Sequence, residues 1–246
     1  MPNARDLVRF IFDLRNRLKC LIQDIVALPA ATNADDQMII TWRLLLLALT
    51  EDVVGSIISL GKLEDENHAR ALRMLDRSVF EYGLRLEYYV FCPEDAVAHG
   101  SNLKNWWGVL IKASAPYMVI ESFTKDEKER LDAAISDAGD IYFPKIQAML
   151  NYCLKKNGYK SGERKRRSRW ILSNYYQLGS ALVHGSQGAF IDFFAKNPAT
   201  DAFAYTPKSS RFTVYDTLFN TALNLIGIVG SEEKFRKTNL AVDMYY

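Results

Sequence analysis

Apolar residues recur at spacings of three and four over residues 4–28: Leu7, Val8, Ile11, Leu14, Leu18, Leu21, Ile22 and Ile25. That period lines one face of an amphipathic helix. A second helix is predicted over residues 33–60, with Asn33 as N-cap, Asp35 and Asp36 at its positive end and Gly61 as its stop. A third runs over 65–91 and ends before Pro93. Residues 94–124 read as loops plus one short helix, with Trp106 and Trp107 assigned to the core. A polar helix follows over 125–138, another over 140–156, a long one over 163–184 closed by Gly185, and a last over 211–229, extending to about 236. The runs Ala189–Phe194 and Ala202–Thr206 flank Asn197-Pro198 and predict a small β-hairpin within 189–206. The expected fold is an all-α bundle of about six to seven helices, two or three of them long, in a single domain over 1–246.

Composition narrows the class of protein. The chain has 246 residues, 31 Lys+Arg against 29 Asp+Glu, 49% hydrophobic and 24% charged. Such values exclude a disordered chain and a uniformly basic one. Cys20, Cys92 and Cys153 are far apart and form no CxxC pair, so a reduced, cytoplasmic protein is expected. The most apolar stretch, residues 38–60, is interrupted by Arg43, Glu51 and Asp52, which argues for a buried helix and against a membrane span.

The third helix carries a core stripe of Leu72, Leu75, Val79, Tyr82, Leu86 and Val90. Its other side carries Arg70, Arg73, Arg77 and Glu81, surrounded by Met74, Phe80, Leu84 and Tyr88. A helix apolar on two sides is central. Arg77 and Glu81 are then a partly enclosed i,i+4 pair, either a structural tie or an anion-facing Arg held by its Glu.

On the helix over 163–184, Arg166, Arg169, Ser173, Gln177, Ser180 and His184 step by 3, 4, 4, 3 and 4 and predict one polar stripe. His184 suits proton transfer near neutral pH. It also fits an ordinary helix C-terminus, where a cation is favoured by the dipole. The stripe begins in residues 155–169, which contain eight Lys/Arg, among them Lys165 and Arg167, and one Glu. That segment carries 8 − 1 = +7, so the rest of the chain carries 23 − 28 = −5. Tyr159 and Trp170 flank it and could stack on bases. Cations in the first turns of a helix oppose its dipole, which calls for an anionic partner or full solvation.

Nucleotide and metal signatures are missing. The sequence holds neither GxGxxG nor HExxH, and His68, His99 and His184 are too scattered to be metal ligands, so neither metal nor cofactor is expected. Ser59-Leu60-Gly61-Lys62 matches SxxK without its companions, and His184-Gly185-Ser186-Gln187-Gly188 lacks the first glycine of a nucleophile elbow.

Met74-Leu75-Asp76-Arg77-Ser78-Val79-Phe80-Glu81, followed by Leu86-Glu87-Tyr88-Tyr89, resembles the Arg…Glu helix of a bacterial family of uncharacterised helical proteins. Tyr176-Gln177-Leu178-Gly179-Ser180-Ala181-Leu182-Val183-His184-Gly185-Ser186 resembles that family's Ser…His-Gly signature. The segment is similar to the end of HEPN domains. Those are helical bundles, many of them metal-independent ribonucleases in toxin and phage-defence systems. The resemblance covers residues 34–186 and leaves 211–236 as a C-terminal packing helix. It implies an RNA or other phosphate ligand and pairing into a homodimer.

The family motif places an Arg four to six residues before the His, where this chain has Leu178, Gly179 and Ser180. On this resemblance His184 is the acid/base, Arg77 the phosphate clamp and Glu81 its orienting partner. Arg73, Lys165, Arg166, Arg167, Arg169, Ser173, Gln177 and Ser180 would bind substrate. The alternative is a non-catalytic helical interaction module that has lost the catalytic Arg.

Overall fold

The computed structural model describes residues 3–28, 33–97, 123–137, 144–184, 190, 192–196, 202–206, 208–209 and 211–235. Trp106, Trp107, His99, residues 98–122 of the segment expected to hold a short helix and the Gly185–Ser186 end of the His184 signature lie outside them, while residues 93–97 are helical. The all-α expectation holds: eight helices and one small hairpin make up the described residues. The helices are α1 (Ala4–Val26), α2 (Ala34–Gly61), α3 (Ala69–Phe91), α4 (Lys125–Asp137), α5 (Ile146–Lys156), α6 (Ser161–Ile171), α7 (Leu178–Val183) and α8 (Val214–Phe235). Four of them are long, where two or three were expected: α1, α2, α3 and α8 each exceed twenty residues.

Contacts divide the chain into two compact units, one of residues 1–28, 44–91 and 146–246, the other of 29–43 and 92–145. In the first unit α3 is the hub, packed by α8, α5 and α7, while α1 lies along α8 and α5 along α6. The core is built from Ile11 and Leu18 of α1, Leu47 and Ile57 of α2, Leu72 and Leu86 of α3, Met149 of α5, and Leu218 and Leu225 of α8, all under 2% exposed. Val90, expected in the core stripe of α3, is exposed, because the stripe rotates toward Tyr88 and Tyr89 in the last turn. The second unit contributes α4, whose start is fixed by a reciprocal box. The Glu127 carboxylate accepts from the Thr124 N–H and hydroxyl, each at 2.8 Å, and Thr124 Oγ1 accepts from Glu127 N–H.

Caps place the ends of the helices. Asn3 and Asp6 form a capping box on α1, and the Asn33 side chain accepts from Asp35 N–H at 2.9 Å to start α2. Thr213 and Asp216 box the start of α8, and Glu66 reaches across to accept from Val214 N–H at 3.0 Å. The third helix starts later than its pattern suggests, since Glu66–His68 is a 3₁₀ turn capped by Asp65 before α3 begins. By length and hydropathy α2 is apolar enough to cross a membrane, which its charges were expected to forbid. In the first unit it behaves as a core helix, burying Leu46, Leu47, Val54, Ile57 and Ile58. Glu51 on its rim is ion-paired to Arg15 of α1 at 2.7 Å.

The hairpin is present with shifted bounds. Phe194–Lys196 (β1) pairs antiparallel with Phe203–Tyr205 (β2), while Asp192 and Phe193 are helical. A buried polar cluster ties this segment to α3. Arg70 Nε donates to Asp192 Oδ2 at 2.7 Å, and Arg70 Nη2 donates to the carbonyls of Asp192, Thr206 and Lys208. Ser209 Oγ donates to the other Asp192 oxygen at 2.7 Å, and Phe193 lies 4.1 Å beneath the guanidinium.

Candidate functional site

The helix predicted over 163–184 is broken into three pieces. α6 ends at Ile171, residues Leu172–Gln177 form a π-helical turn, and α7 resumes at Leu178. A π turn advances each residue by less than the 100° of an α-helix. Six such residues rotate everything after them by roughly one residue's worth of turn. The stripe predicted from Arg166 to His184 is therefore not one face. Arg166, Arg169, Ser173 and Gln177 are exposed, Ser180 is half-buried, and His184 emerges exposed at the end of α7.

The first half of the stripe lies in a cationic region. Two adjoining grooves flank α6. One, about 690 Å³, lies between α5 and α6, with Lys155, Arg164, Lys165 and Arg169 on its walls. The other, about 520 Å³, runs along the outer side of α6 past Lys165, Arg166, Arg169 and Trp170, ending at Ser173. Among the described residues no carboxylate lines either groove. Among the described residues Lys155, Arg164, Lys165, Arg166 and Arg169 make no ion pair. Arg167 differs: its Nε donates to Glu163 Oε1 at 3.1 Å, and its guanidinium covers the Tyr159 ring at 4.4 Å. Trp170 is 58% exposed, with its ring edge-on to Tyr175 at 5.8 Å. Glu163, in the first turn of α6, is the only acidic residue there to answer the positive helix end.

Beside the second half of the stripe, whose Gln177 and His184 are exposed, the other side of the same segment packs on the Arg helix. Phe80 stacks on Tyr175, with centroids 6.0 Å apart, and meets Tyr176 at 6.4 Å. One turn earlier on α3, Arg77 lies 5.0 Å from the Tyr176 ring and is paired to Glu81 at 2.7 Å. A Cβ on Gly179 would stand 2.9 Å from both the Arg73 carbonyl oxygen and Arg77 Cβ. The two segments run antiparallel, Phe80 opposite Tyr175 and Arg73 opposite Gly179. At about 1.5 Å per residue, His184 lies about 7 Å beyond Gly179, toward the Ala69 end of α3 and away from Glu81. Among the described residues no hydrogen bond or ion pair joins the His184 ring to Arg77 or Glu81. The Arg77 Nε–H has no acceptor.

Arg73, expected to touch substrate, is 5% exposed, and its Nη1 donates to Asp76 Oδ2 at 3.1 Å. Asp76 is fully buried and accepts from Thr221 Oγ1 at 2.9 Å and Asn224 Nδ2 at 3.3 Å, both on α8. Burial pushes the Asp76 carboxyl up to about 6, against the opposing pull of Arg73 and the two hydrogen bonds. Burial likewise lowers the Arg73 guanidinium from its ordinary value.

The pattern of the sequence missed Asp76, Asp192, Ser168 and Gly179. Asp76 stands three residues from Arg73 on a helix, a spacing that signals a pair. Nothing local marks Asp192, whose partner is 122 residues away. Among the described residues no group of His, Cys, Asp and Glu forms a metal-binding cluster. Comparison of the chain with protein-family models, with curated proteins and with solved structures found no match.

Proposed function

We propose that this chain binds single-stranded RNA through the cationic side of α6, as a helical binding module. The observation that carries the reading is a set of five cations, Lys155, Arg164, Lys165, Arg166 and Arg169, that make no ion pair among the described residues and stand around two grooves with no carboxylate among those residues. Salt-bridged surfaces satisfy their charges internally, whereas cations left without partners are available to phosphates. Exposed Trp170 beside Arg166 and Arg169 adds a stacking surface for a base, the combination that single-strand binders use. Solvent-facing phosphate contacts and one stacking ring need no strand separation, which favours a single strand over a duplex.

The test is anisotropy of a labelled single-stranded RNA. The double variant Arg166→Glu/Arg169→Glu is expected to weaken binding about tenfold or more, the loss of at least one charge-assisted hydrogen bond. Trp170→Ala is expected to cost about 1–3 kcal/mol if a base stacks there. Unchanged affinity in both variants contradicts the reading.

A second reading is the HEPN-like, metal-independent ribonuclease, in a cytoplasmic toxin or phage-defence setting. The packing of Arg77 against Tyr176 and Gly179 supports it, because residues of the two signatures are in contact there. RNA cleavage in the presence of chelator, abolished in His184→Ala, would establish it. Identical behaviour of the two proteins would end it.

A further inference from the structure

The groove between α5 and α6 differs from the outer one in having a buried polar floor. Ser168 is 3% exposed, lines this groove, and its Oγ has no hydrogen-bond partner. Buried hydroxyls are nearly always satisfied, so an orphan one in a polar cavity marks a place for an acceptor. Around that floor stand Lys155 from α5 and Arg164, Lys165 and Arg169 from α6, four formal positive charges with no acid among the described lining residues. Tyr152 forms part of the wall, its ring fixed edge-on to Tyr88 at 5.5 Å. A volume of about 690 Å³ is the size of a small-ligand site.

We infer that this groove is an end-binding pocket, taking the terminal phosphomonoester of an RNA strand whose body lies along the outer side of α6. The inference rests on the RNA reading and adds which part of the strand is recognised. Charge selects the monoester over an internal diester. A terminal phosphate carries close to two negative charges and three acceptor oxygens, whereas a backbone diester carries one charge and two free oxygens. Four cations and a buried donor exceed what a diester can answer. Lys165 and Arg169 line both grooves, so a strand held on the outer side has its end beside the pocket.

The experiment compares one RNA sequence prepared with a 5′-phosphate, with a 3′-phosphate, and with hydroxyls at both ends. The expected result is about tenfold tighter binding of one phosphorylated form, the strength of one or two charge-assisted hydrogen bonds. Which form gains tells which end enters. Millimolar inorganic phosphate should remove that advantage, as should Ser168→Ala and Lys155→Gln, each checked for an unchanged melting curve. Ser168→Ala only deletes an unpaired hydroxyl, so the fold should survive it. Equal affinity of all three RNAs for the unaltered protein overturns the end pocket and leaves RNA binding standing. Failure of all three to bind overturns both.

Discussion

Asp76 is a charge the interior tolerates poorly. It is held by Arg73, Thr221 and Asn224, yet burial outweighs them and raises its carboxyl to about 6. A carboxyl raised in the folded state binds its proton more tightly there than in the unfolded chain. Its contribution to stability is therefore fully present below the unfolded value near 4 and is lost as pH rises through about 6. Denaturant titrations of the protein and of Asp76→Asn should show a stability difference that shrinks between pH 4 and 7, by an amount on the order of 1–3 kcal/mol. A pH-independent difference would show that Asp76 has its ordinary affinity for a proton. At this scale the sequence was partly legible. The i,i+4 spacing of Arg77 and Glu81 correctly gave a partly enclosed pair, now seen at 2.7 Å. Arg73 was assigned to substrate from the same helical face, but that face is covered by α8, and no local pattern states which face a distant helix will cover.

Among the elements, Gly179 decides how closely α7 approaches α3. A side chain there meets a backbone carbonyl and the root of Arg77, neither of which can swing away. An Arg at 179 has no room either. Gly179→Ala is expected to lower stability by about 1–3 kcal/mol, the usual cost of overpacking, measured by thermal or denaturant melts. Unaltered stability would mean that the helices are not in contact as described. The period of apolar residues gave α1 to within two residues, since its face is regular, and the Asn33 cap and Gly61 gave α2. It failed at Leu172–Gln177, because a π turn keeps the apolar content of a helix while shifting its phase. What the sequence presented as one stripe changes phase there: the cationic part on α6 is followed by one in which Ser180 is half-buried and His184 exposed.

For the whole molecule, a formal charge of +2 conceals +7 over residues 155–169 and −5 over the remainder. A protein polarised this way repels a polyanion over most of its surface and attracts it at one place, which orients the encounter before any contact is made. The basic segment was legible in the sequence as composition. That Glu163 neutralises Arg167 while the other cations stay unpaired was not, because pairing depends on which side of α6 each residue faces. The all-α class and the hairpin were legible from periodicity and breakers. The clustering of the chain into two units was not, since the division falls inside α2, between residues 43 and 44.

The central claim is that unpaired cations on α6 engage phosphates, and the salt dependence of RNA affinity tests it most directly. The logarithm of the association constant, measured for a hydroxyl-ended single strand, should fall linearly with the logarithm of salt concentration. The slope should be about −2 to −4, near −0.7 for each phosphate neutralised, and should shrink by about 0.7 when Arg166 is replaced by Ala. A slope near zero, or one that Arg166→Ala leaves unchanged, would contradict it.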